Sequence, residues 1–347
     1  MEFHSILYHY WLVPWASQTV TRIGVNEGFV QIVETNAPRG AVSGDLIECV
    51  DGIKMKKQRK KHGEIDENSN NHNQKLCLDT KGEIIFGIHP ILLALRSKRR
   101  NFYKLYLKQK TTELNPRLEE IKKMAENMNL PIELTRGKIL DQLSGQRPHQ
   151  SACMDCGNLE TQFYTEVNEV EKNEKKRNSI CLWLLLLRVK DPMNLGAIIR
   201  TAYFMGVDKI LSTQIDSCPL TPVVSKASSG AMEIAPYFYI RNLIEFLKDK
   251  IGWGTQHFVF KRENGWEILG TVTNDESIST RNLSDFKLTK PTILIIGNEG
   301  DGLDTSVLEL CTNNLSLKPG HQNSEKILSL NVSVATGIIL HAILKNQ

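Results

Sequence analysis

The chain has 347 residues, more than one typical core accommodates, and this length predicts two domains plus extra segments. Hydrophobic residues make up 41% of the chain and charged residues 24%, which excludes fibrous and wholly disordered proteins. The net charge is only +4, but local clusters of basic residues still permit a polyanionic partner.

Cysteine content and hydropathy point to a reducing compartment and to no membrane span. The seven cysteines are scattered and odd in number, which argues against a disulfide framework. The densest apolar run, residues 180–187, is far shorter than the roughly 20 residues that cross a bilayer, so it predicts a buried strand. The N-terminus lacks a basic segment and a small-residue cleavage site, so we expect neither a clear secretory signal nor a clear transit peptide.

The first part of the chain is predicted to be an N-terminal extension, residues 1–53, followed by a basic and polar linker, residues 54–79. Residues 54–75 hold almost no large apolar side chains, so burial would not offset the entropy cost of ordering them. The basic run at residues 54–61 is either a solvated tether or a contact for RNA phosphates.

Residues 80–156 are predicted to form a small α/β domain. A strand, a turn at Gly87, a helix, the strand FYKLYLK, an amphipathic helix at residues 116–129 and the strand PIELT follow one another. Basic residues on this domain either contact RNA or form a solvated face: Arg96, Lys98, Arg99, Arg100 and Lys104.

A polar linker is predicted at residues 157–178, and the remainder, residues 179–347, alternates strand-like and helix-like segments. Such alternation predicts a largely parallel sheet covered by helices on both faces. In these sheets the ligand lies beyond the carboxyl ends of the strands.

Three segments of this second half carry polar residues or glycines where buried strands end. The first, DPMNLGAIIRTA, places Asn194 and Arg200 in an otherwise apolar helix; they are either functional or a helix cap and a surface cation. The third, ILSLNVSVATGIILHAIL, opens with Ser329 and Asn331, and Asn331 as a plain helix cap is the alternative.

The second segment, ILIIGNEGDGL, opens from an apolar strand into three glycines around Glu299, beginning with Gly297. Glycines let the backbone approach a ligand closely, because no Cβ obstructs it. The order is GxxGxG, late in the chain, instead of the GxGxxG that opens a dinucleotide-binding unit. This order argues against a nicotinamide cofactor.

Together, NLGAIIRTA, GNEGDGL and SLNVSVATG, with the intervening CPLTPVVSKASSGAMEI, resemble the motifs of the SpoU family of RNA 2′-O-ribose methyltransferases. Upstream, GEIIFGIHPILLAL resembles the substrate-binding domain that precedes the catalytic domain in many members. Within the family, the chain is most similar to enzymes that methylate a guanosine of mitochondrial large-subunit rRNA. It departs from many relatives after RPHQ, where Ser151 replaces glycine.

The resemblance implies a SPOUT catalytic domain, a knotted and mostly parallel sheet with helices on both faces, preceded by a small ribosomal-protein-like α/β domain. It implies S-adenosyl-L-methionine as cofactor, held by backbone groups around Gly297, Leu317 and Leu330. It also implies RNA, most of all rRNA, as partner, a homodimer, no membrane, no metal, and the mitochondrial matrix.

The resemblance further implies the roles of the polar residues. Arg200 contacts the RNA phosphate and the 2′-hydroxyl, Asn194 and Glu299 support that arrangement, and Ser329 and Asn331 complete the pocket. Because a guanidinium stays protonated far above neutral pH, electrostatic stabilisation by Arg200 is favoured over a role as base.

Four other functions are weighed against this one. A zinc site at Cys153 and Cys156 lacks a second pair of ligands. A non-catalytic RNA-binding or ribosome-assembly protein with the same fold would not need the set of polar residues named above. A tRNA 2′-O-methyltransferase remains an alternative, and a nicotinamide oxidoreductase is disfavoured by the glycine order.

Overall fold

The chain divides into two compact units, Met1–Lys75 and Leu76–Gln347. The computed structural model of the protein describes residues 20–26, 29–35, 44–48, 56–57, 79–109, 115–165, 180–252, 265–272, 279–298, 300, 302–317 and 329–345. Glu299 therefore lies outside the described residues. No helix within these ranges combines the length and the apolar character that a membrane span requires.

The first unit contains an antiparallel sheet of four strands. Its strands are β1 (Val20–Asn26), β2 (Phe29–Thr35), β3 (Gly44–Glu48) and β4 (Lys56–Lys57), and each pairs with the next. The sequence analysis assigns these residues to an extension, for which it predicts no elements, and to a polar linker. Lys56 and Lys57, within the predicted linker, pair with Ile47 and Glu48 of β3.

The second unit begins with a small domain of alternating strands and helices. Its elements are β5 (Glu83–Phe86), α1 (Ile88–Ser97), β6 (Phe102–Lys108), α2 (Pro116–Asn127), β7 (Ile132–Thr135), α3 (Gly137–Leu143) and β8 (Ala152–Cys156). The sheet order is β5-β8-β6-β7, with β6 and β7 parallel and β8 antiparallel to both neighbours. The predicted strands and helices are confirmed, while α3 and β8 are additions.

Strand β8 explains the CxxC pattern without a metal. Cys153 and Cys156 are fully buried on this strand and belong to two different apolar clusters. Burial raises the pKa of each thiol to about 12, which disfavours the thiolate form. No group of three or more His, Cys, Asp or Glu side chains among the described residues is arranged to hold a metal ion.

The large domain that follows is built on one parallel sheet. Its elements are β9 (Gln162–Phe163), β10 (Leu182–Leu186), α4 (Pro192–Phe204), β11 (Lys209–Thr213), α5 (Pro222–Ala227), β12 (Tyr237–Ile240), α6 (Leu243–Lys250), β13 (Glu267–Val272), β14 (Arg281–Asn282), β15 (Thr292–Ile296), α7 (Thr305–Leu308), β16 (Asn313–Ser316) and α8 (Val332–Lys345). The strand order is β14-β16-β13-β15-β10-β11-β12-β9, and every pairing is parallel. The predicted fold class is confirmed.

Strands β10 and β15 lie at the centre of the sheet, and every one of their residues is buried. Along β10, Leu182, Leu184 and Leu186 face a cluster that includes residues of α4 and α8. Trp183 and Leu185 face a second cluster that includes residues of α6 and α7. Helices therefore cover both faces. Residues 318–328, between β16 and α8, lie outside the described residues, so the knot stays a prediction.

One segment differs from the predicted linker at residues 157–178. Gln162 and Phe163 form β9, which pairs with Phe238 and Tyr239 at one edge of the large sheet. The aromatic side chain of Phe163 packs against the core, which provides the apolar contact that a solvated linker lacks.

The basic cluster predicted on the small domain is mostly engaged in ion pairs. Arg96 pairs with Glu120 at 2.6 Å and Lys104 pairs with Glu133 at 2.5 Å. Arg100 is only 5% exposed and lies in the contact between the small and large domains. Both alternatives for this cluster, contact with RNA and a solvated face, are therefore wrong for Arg100, whose charge is neutralised inside the protein.

Candidate active site

The loop after β10 positions Asn194 at the carboxyl edge of the sheet. Asp191 caps helix α4, because its carboxylate accepts a hydrogen bond from the backbone N–H of Asn194 at 2.8 Å. Pro192 occupies the first turn of α4, where its missing N–H costs nothing. The alternative in which Asn194 itself caps the helix is wrong, since Asp191 has that role.

Asn331 joins the start of α8 to the start of α4. Its Nδ2 donates to Oδ1 of Asn194 at 3.0 Å. Its Oδ1 accepts from the backbone N–H of Ser333 at 3.0 Å and of Val334 at 3.4 Å, which is the arrangement of a helix cap. The cap interpretation of Asn331 is therefore correct but incomplete, because the same amide also connects two helices.

The neighbours of Asn331 lie in the same turn. Ser329 is exposed and Leu330 is 47% exposed, so both precede α8 with their side chains accessible. Helix α8 packs closely on α4, since a Cβ built on Gly337 would lie 3.8 Å from Cγ2 of Thr201. The first and third predicted motifs are thus in direct contact.

The glycine turn follows β15, the strand next to β10. A Cβ built on Gly297 would lie 2.6 Å from the carbonyl oxygen of Gly302, so only glycine fits there. Gly302 has a φ of +66°, and its N–H donates to the carbonyl of Asn298 at 3.1 Å. The turn therefore folds back on itself and presents backbone groups.

Arg188 links this turn to the loop after β10. Its Nη2 donates to the carbonyl of Gly302 at 3.2 Å and pairs with Asp304 at 3.0 Å. Its φ of +57° is a left-handed conformation that costs energy outside glycine and asparagine. The sequence analysis missed Arg188, because only the folded sheet brings β10 and β15 together.

Leu317 lies at the same edge as Gly297. It follows β16, which is separated from β15 only by β13, so about 10 Å divides the two strand ends. Next to it, Oγ of Ser316 is buried, as is Oδ1 of Asn314, and neither has a hydrogen-bond partner in the described part of the chain. Buried polar atoms are normally paired, so this edge suits a ligand that carries polar groups.

Arg200 lies on α4 about 9 Å along the helix axis from Asn194. Its side chain is exposed, and Nη1 donates to Oγ of Ser229 at 3.0 Å. Ser229 and Gly230 have φ values of 52° and 84° and form the left-handed turn after α5. Arg200 is thus a surface cation that Ser229 holds by a hydrogen bond. The sequence analysis missed Ser229, although this serine lies inside the segment CPLTPVVSKASSGAMEI.

Among the described site residues, two are in direct contact and two others follow strands at the carboxyl edge of the large sheet. Asn194 and Asn331 are hydrogen bonded, with Ser329 and Leu330 beside them in sequence. Gly297 follows β15, Leu317 follows β16, and Arg200 lies on α4.

Comparison with known proteins places these motifs in a family. Residues 182–341 match the SpoU rRNA Methylase family, and residues 84–162 match a domain described as RNA 2'-O ribose methyltransferase substrate binding. The chain is 37% identical over 268 residues to "rRNA methyltransferase 1, mitochondrial" of Homo sapiens, which covers 75% of this chain and 72% of that protein.

A bacterial relative and a solved structure agree with this assignment. The chain is 30% identical over 268 residues to the 23S rRNA (guanosine-2'-O-)-methyltransferase RlmB of Coxiella burnetii, covering 77% of this chain and 97% of that protein. The crystal structure of the SpoU methyltransferase AviRb from Streptomyces viridochromogenes in complex with AdoMet has the same fold, with a TM-score of 0.55 and 20% identity over 76% of this chain and 89% of that one. With both domains matched in the expected order, the chain belongs to the SpoU rRNA methylase family.

Proposed function

We propose that the chain transfers the methyl group of S-adenosyl-L-methionine to a ribose 2′-hydroxyl of RNA, namely a guanosine in mitochondrial large-subunit rRNA. The observation that carries this proposal is the 3.0 Å hydrogen bond between Asn331 and Asn194, which joins the first and third motifs. The names of the human and Coxiella relatives support the mitochondrial rRNA and the guanosine. The name of the human relative also supports a mitochondrial location, within which we propose the matrix.

The carboxyl edge of the sheet fits the proposed cofactor. Gly297 leaves backbone groups accessible, and Oγ of Ser316, which has no partner among the described residues, lies directly before Leu317. We assign the binding of S-adenosyl-L-methionine to the backbone around Gly297, Leu317 and Leu330. When bound, this cofactor supplies an electrophilic methyl group on a sulfonium.

The remaining residues act on the RNA. Arg200 is exposed and its guanidinium is a cation, so it holds a phosphate and stabilises the negative charge that develops on the 2′-oxygen as its proton leaves. The Asn331 to Asn194 contact keeps the start of α4 in place, which fixes where Arg200 lies. Glu299, outside the described residues, and Ser329 are assigned to the same pocket.

A substitution in the glycine turn tests the cofactor assignment. Gly297→Ala puts a Cβ against the backbone of Gly302, so the turn must shift, and we expect a cost of about 1–3 kcal/mol, or roughly five- to 150-fold weaker binding of S-adenosyl-L-methionine. Gly300→Ala is the matched control, because a Cβ there meets nothing within 4 Å. Titration calorimetry measures both.

Two results would contradict the assignment. Cofactor affinity of Gly297→Ala equal to that of the unchanged protein would remove Gly297 from the binding site. Absence of any S-adenosyl-L-methionine binding by the unchanged protein would favour a non-catalytic RNA-binding protein with the same fold.

We also propose that the protein is a homodimer that pairs through α4 and α8. Met193, Arg200 and Phe204 lie on one stripe of α4, because their spacings are close to whole helical turns. Phe204 is 88% exposed, and Val334 and Ile338 of α8 are also exposed. Large exposed apolar side chains mark interaction surfaces, and a second copy on this stripe would border Arg200.

The mass of the protein in solution tests the dimer. We expect static light scattering after gel filtration to give twice the chain mass, and Phe204→Glu to give a monomer. Glu in place of an exposed side chain leaves the fold intact, since Phe204 makes little contact within its own chain. A monomeric mass for the unchanged protein would overturn this proposal.

A further inference from the structure

Four basic side chains from both domains meet where the small domain contacts the large one. We call His89, Arg117, Lys226 and Arg200 the interdomain cluster. Arg117 of α2 donates from Nη1 to Nε2 of His89 at 2.6 Å. Lys226 of α5 donates from Nζ to Oε1 of Gln150 at 2.8 Å, so it is held against the small domain.

The imidazole of His89 lies among the charges of this cluster. Burial lowers the pKa of His89, and the positive charges of Arg117, Lys226 and Arg200 lower it further. Every charged group that shifts this imidazole is a cation. A concentration of like charge is unfavourable in the free protein, so it points to an anionic ligand.

Other basic groups of the small domain behave differently. Arg96, Lys104 and Arg100 each pair with a carboxylate. Arg117 and Lys226 instead donate to uncharged acceptors, namely His89 and Gln150. Among the basic side chains compared here, Arg117 and Lys226 are therefore the ones that the described residues do not neutralise with a carboxylate.

The cluster is held in place by the packing of the two domains. A Cβ built on Gly230 would lie 2.8 Å from the carbonyl oxygen of His89, so α1 rests directly on the turn that carries Ser229. Nearby, Arg99 donates to the carbonyl of Ala235 at 3.1 Å. Because these contacts leave little freedom, the cluster presents its charges in a fixed arrangement.

We propose that the interdomain cluster binds an RNA phosphodiester that spans the junction of the two domains, next to the nucleotide that is methylated. The inference rests on the proposed function, because Arg200 belongs both to the cluster and to the proposed chemistry. Arg117 and Lys226 provide the charge, while His89 and Gln150 orient them. This phosphate fixes how RNA held by the small domain enters the large one.

The experiment compares three charge-removing variants: Arg117→Gln, Lys226→Gln and the matched control Lys123→Gln. Lys123 is exposed on the same helix as Arg117, six residues further along and therefore about 120° around the helix from it. Binding of a large-subunit rRNA transcript is measured by filter binding over a range of salt concentrations. Each lost phosphate contact lowers the slope of log affinity against log salt by about 1, which is about fivefold in affinity at about 0.15 M salt.

We expect Arg117→Gln and Lys226→Gln to show this loss and Lys123→Gln to match the unchanged protein. Calorimetry with S-adenosyl-L-methionine should give unchanged cofactor affinity for all three. Arg117 is exposed, so its variant folds and decides the question even if Lys226→Gln lowers the melting temperature. Equal slopes for Arg117→Gln and Lys123→Gln would overturn the proposal.

The outcome is separable from that of the proposed function. An unchanged protein that binds the transcript through this cluster but transfers no methyl group would contradict the proposed function and leave the cluster assignment standing. Normal methylation by Arg117→Gln with an unaltered salt slope would contradict the cluster assignment and leave the proposed function standing.

Discussion

Arg200→Ala is expected to slow methyl transfer to RNA by about 10²–10³ while leaving the affinity for S-adenosyl-L-methionine unchanged. The guanidinium is exposed on α4, and its one hydrogen bond that the structure defines is to Ser229, so its removal leaves no buried group unpaired. We therefore expect the variant to fold normally and the slower reaction to reflect the lost guanidinium. Single-turnover rates with saturating RNA and cofactor measure the effect.

Arg200→Lys is the control for charge. It keeps the positive charge but loses the planar fork that binds two oxygens at once, so we expect a rate between those of Arg200→Ala and the unchanged protein. Near-normal turnover by Arg200→Ala would exclude Arg200 from the mechanism.

Arg100→Met is expected to lower the free energy of unfolding by about 3–5 kcal/mol, because it leaves the fully buried carboxylate of Glu233 without its cation. Arg100 donates to Glu233 at 2.6 Å from Nε and 3.0 Å from Nη2, and it also pairs with Glu83. Burial opposes the charge of Arg100, but these carboxylates outweigh it and raise its pKa. The arginine therefore stays charged.

The double variant Arg100→Met with Glu233→Met is the matched control. It removes both buried charges, so we expect it to be more stable than the sum of the two single variants predicts. Chemical denaturation of the four proteins gives the coupling free energy. Additive losses would show that the pair does not hold the two domains together.

The sequence predicts the centre of the fold well, because its signals there are local. Strand β10 is an uninterrupted apolar run, β15 has four apolar residues after Thr292, and Pro192 after Asp191 is typical of a helix start. Strand order depends on contacts between residues that are far apart in sequence, so local sequence patterns do not predict it. Strand β9 was missed because only two residues of a polar segment pair with the sheet.

The site shows the same division between local and distant signals. Asn331 as a cap is a local pattern, whereas its bond to Asn194 joins residues 137 positions apart. Arg100 was predicted among surface cations because Glu233, its partner, lies 133 positions later in the chain. Only the resemblance to a family, and no periodicity or spacing, pointed to the three motifs as one site.

The ribose 2′-hydroxyl as methyl acceptor is the central claim, and alkaline hydrolysis of the product tests it most directly. An rRNA transcript is incubated with the protein and S-adenosyl-L-methionine that carries a labelled methyl group, and is then hydrolysed with alkali. A 2′-O-methyl group removes the nucleophile for cleavage of the next phosphodiester, so the label is predicted in alkali-stable dinucleotides that begin with guanosine. Label recovered in mononucleotides would place the methyl group on a base and contradict the account.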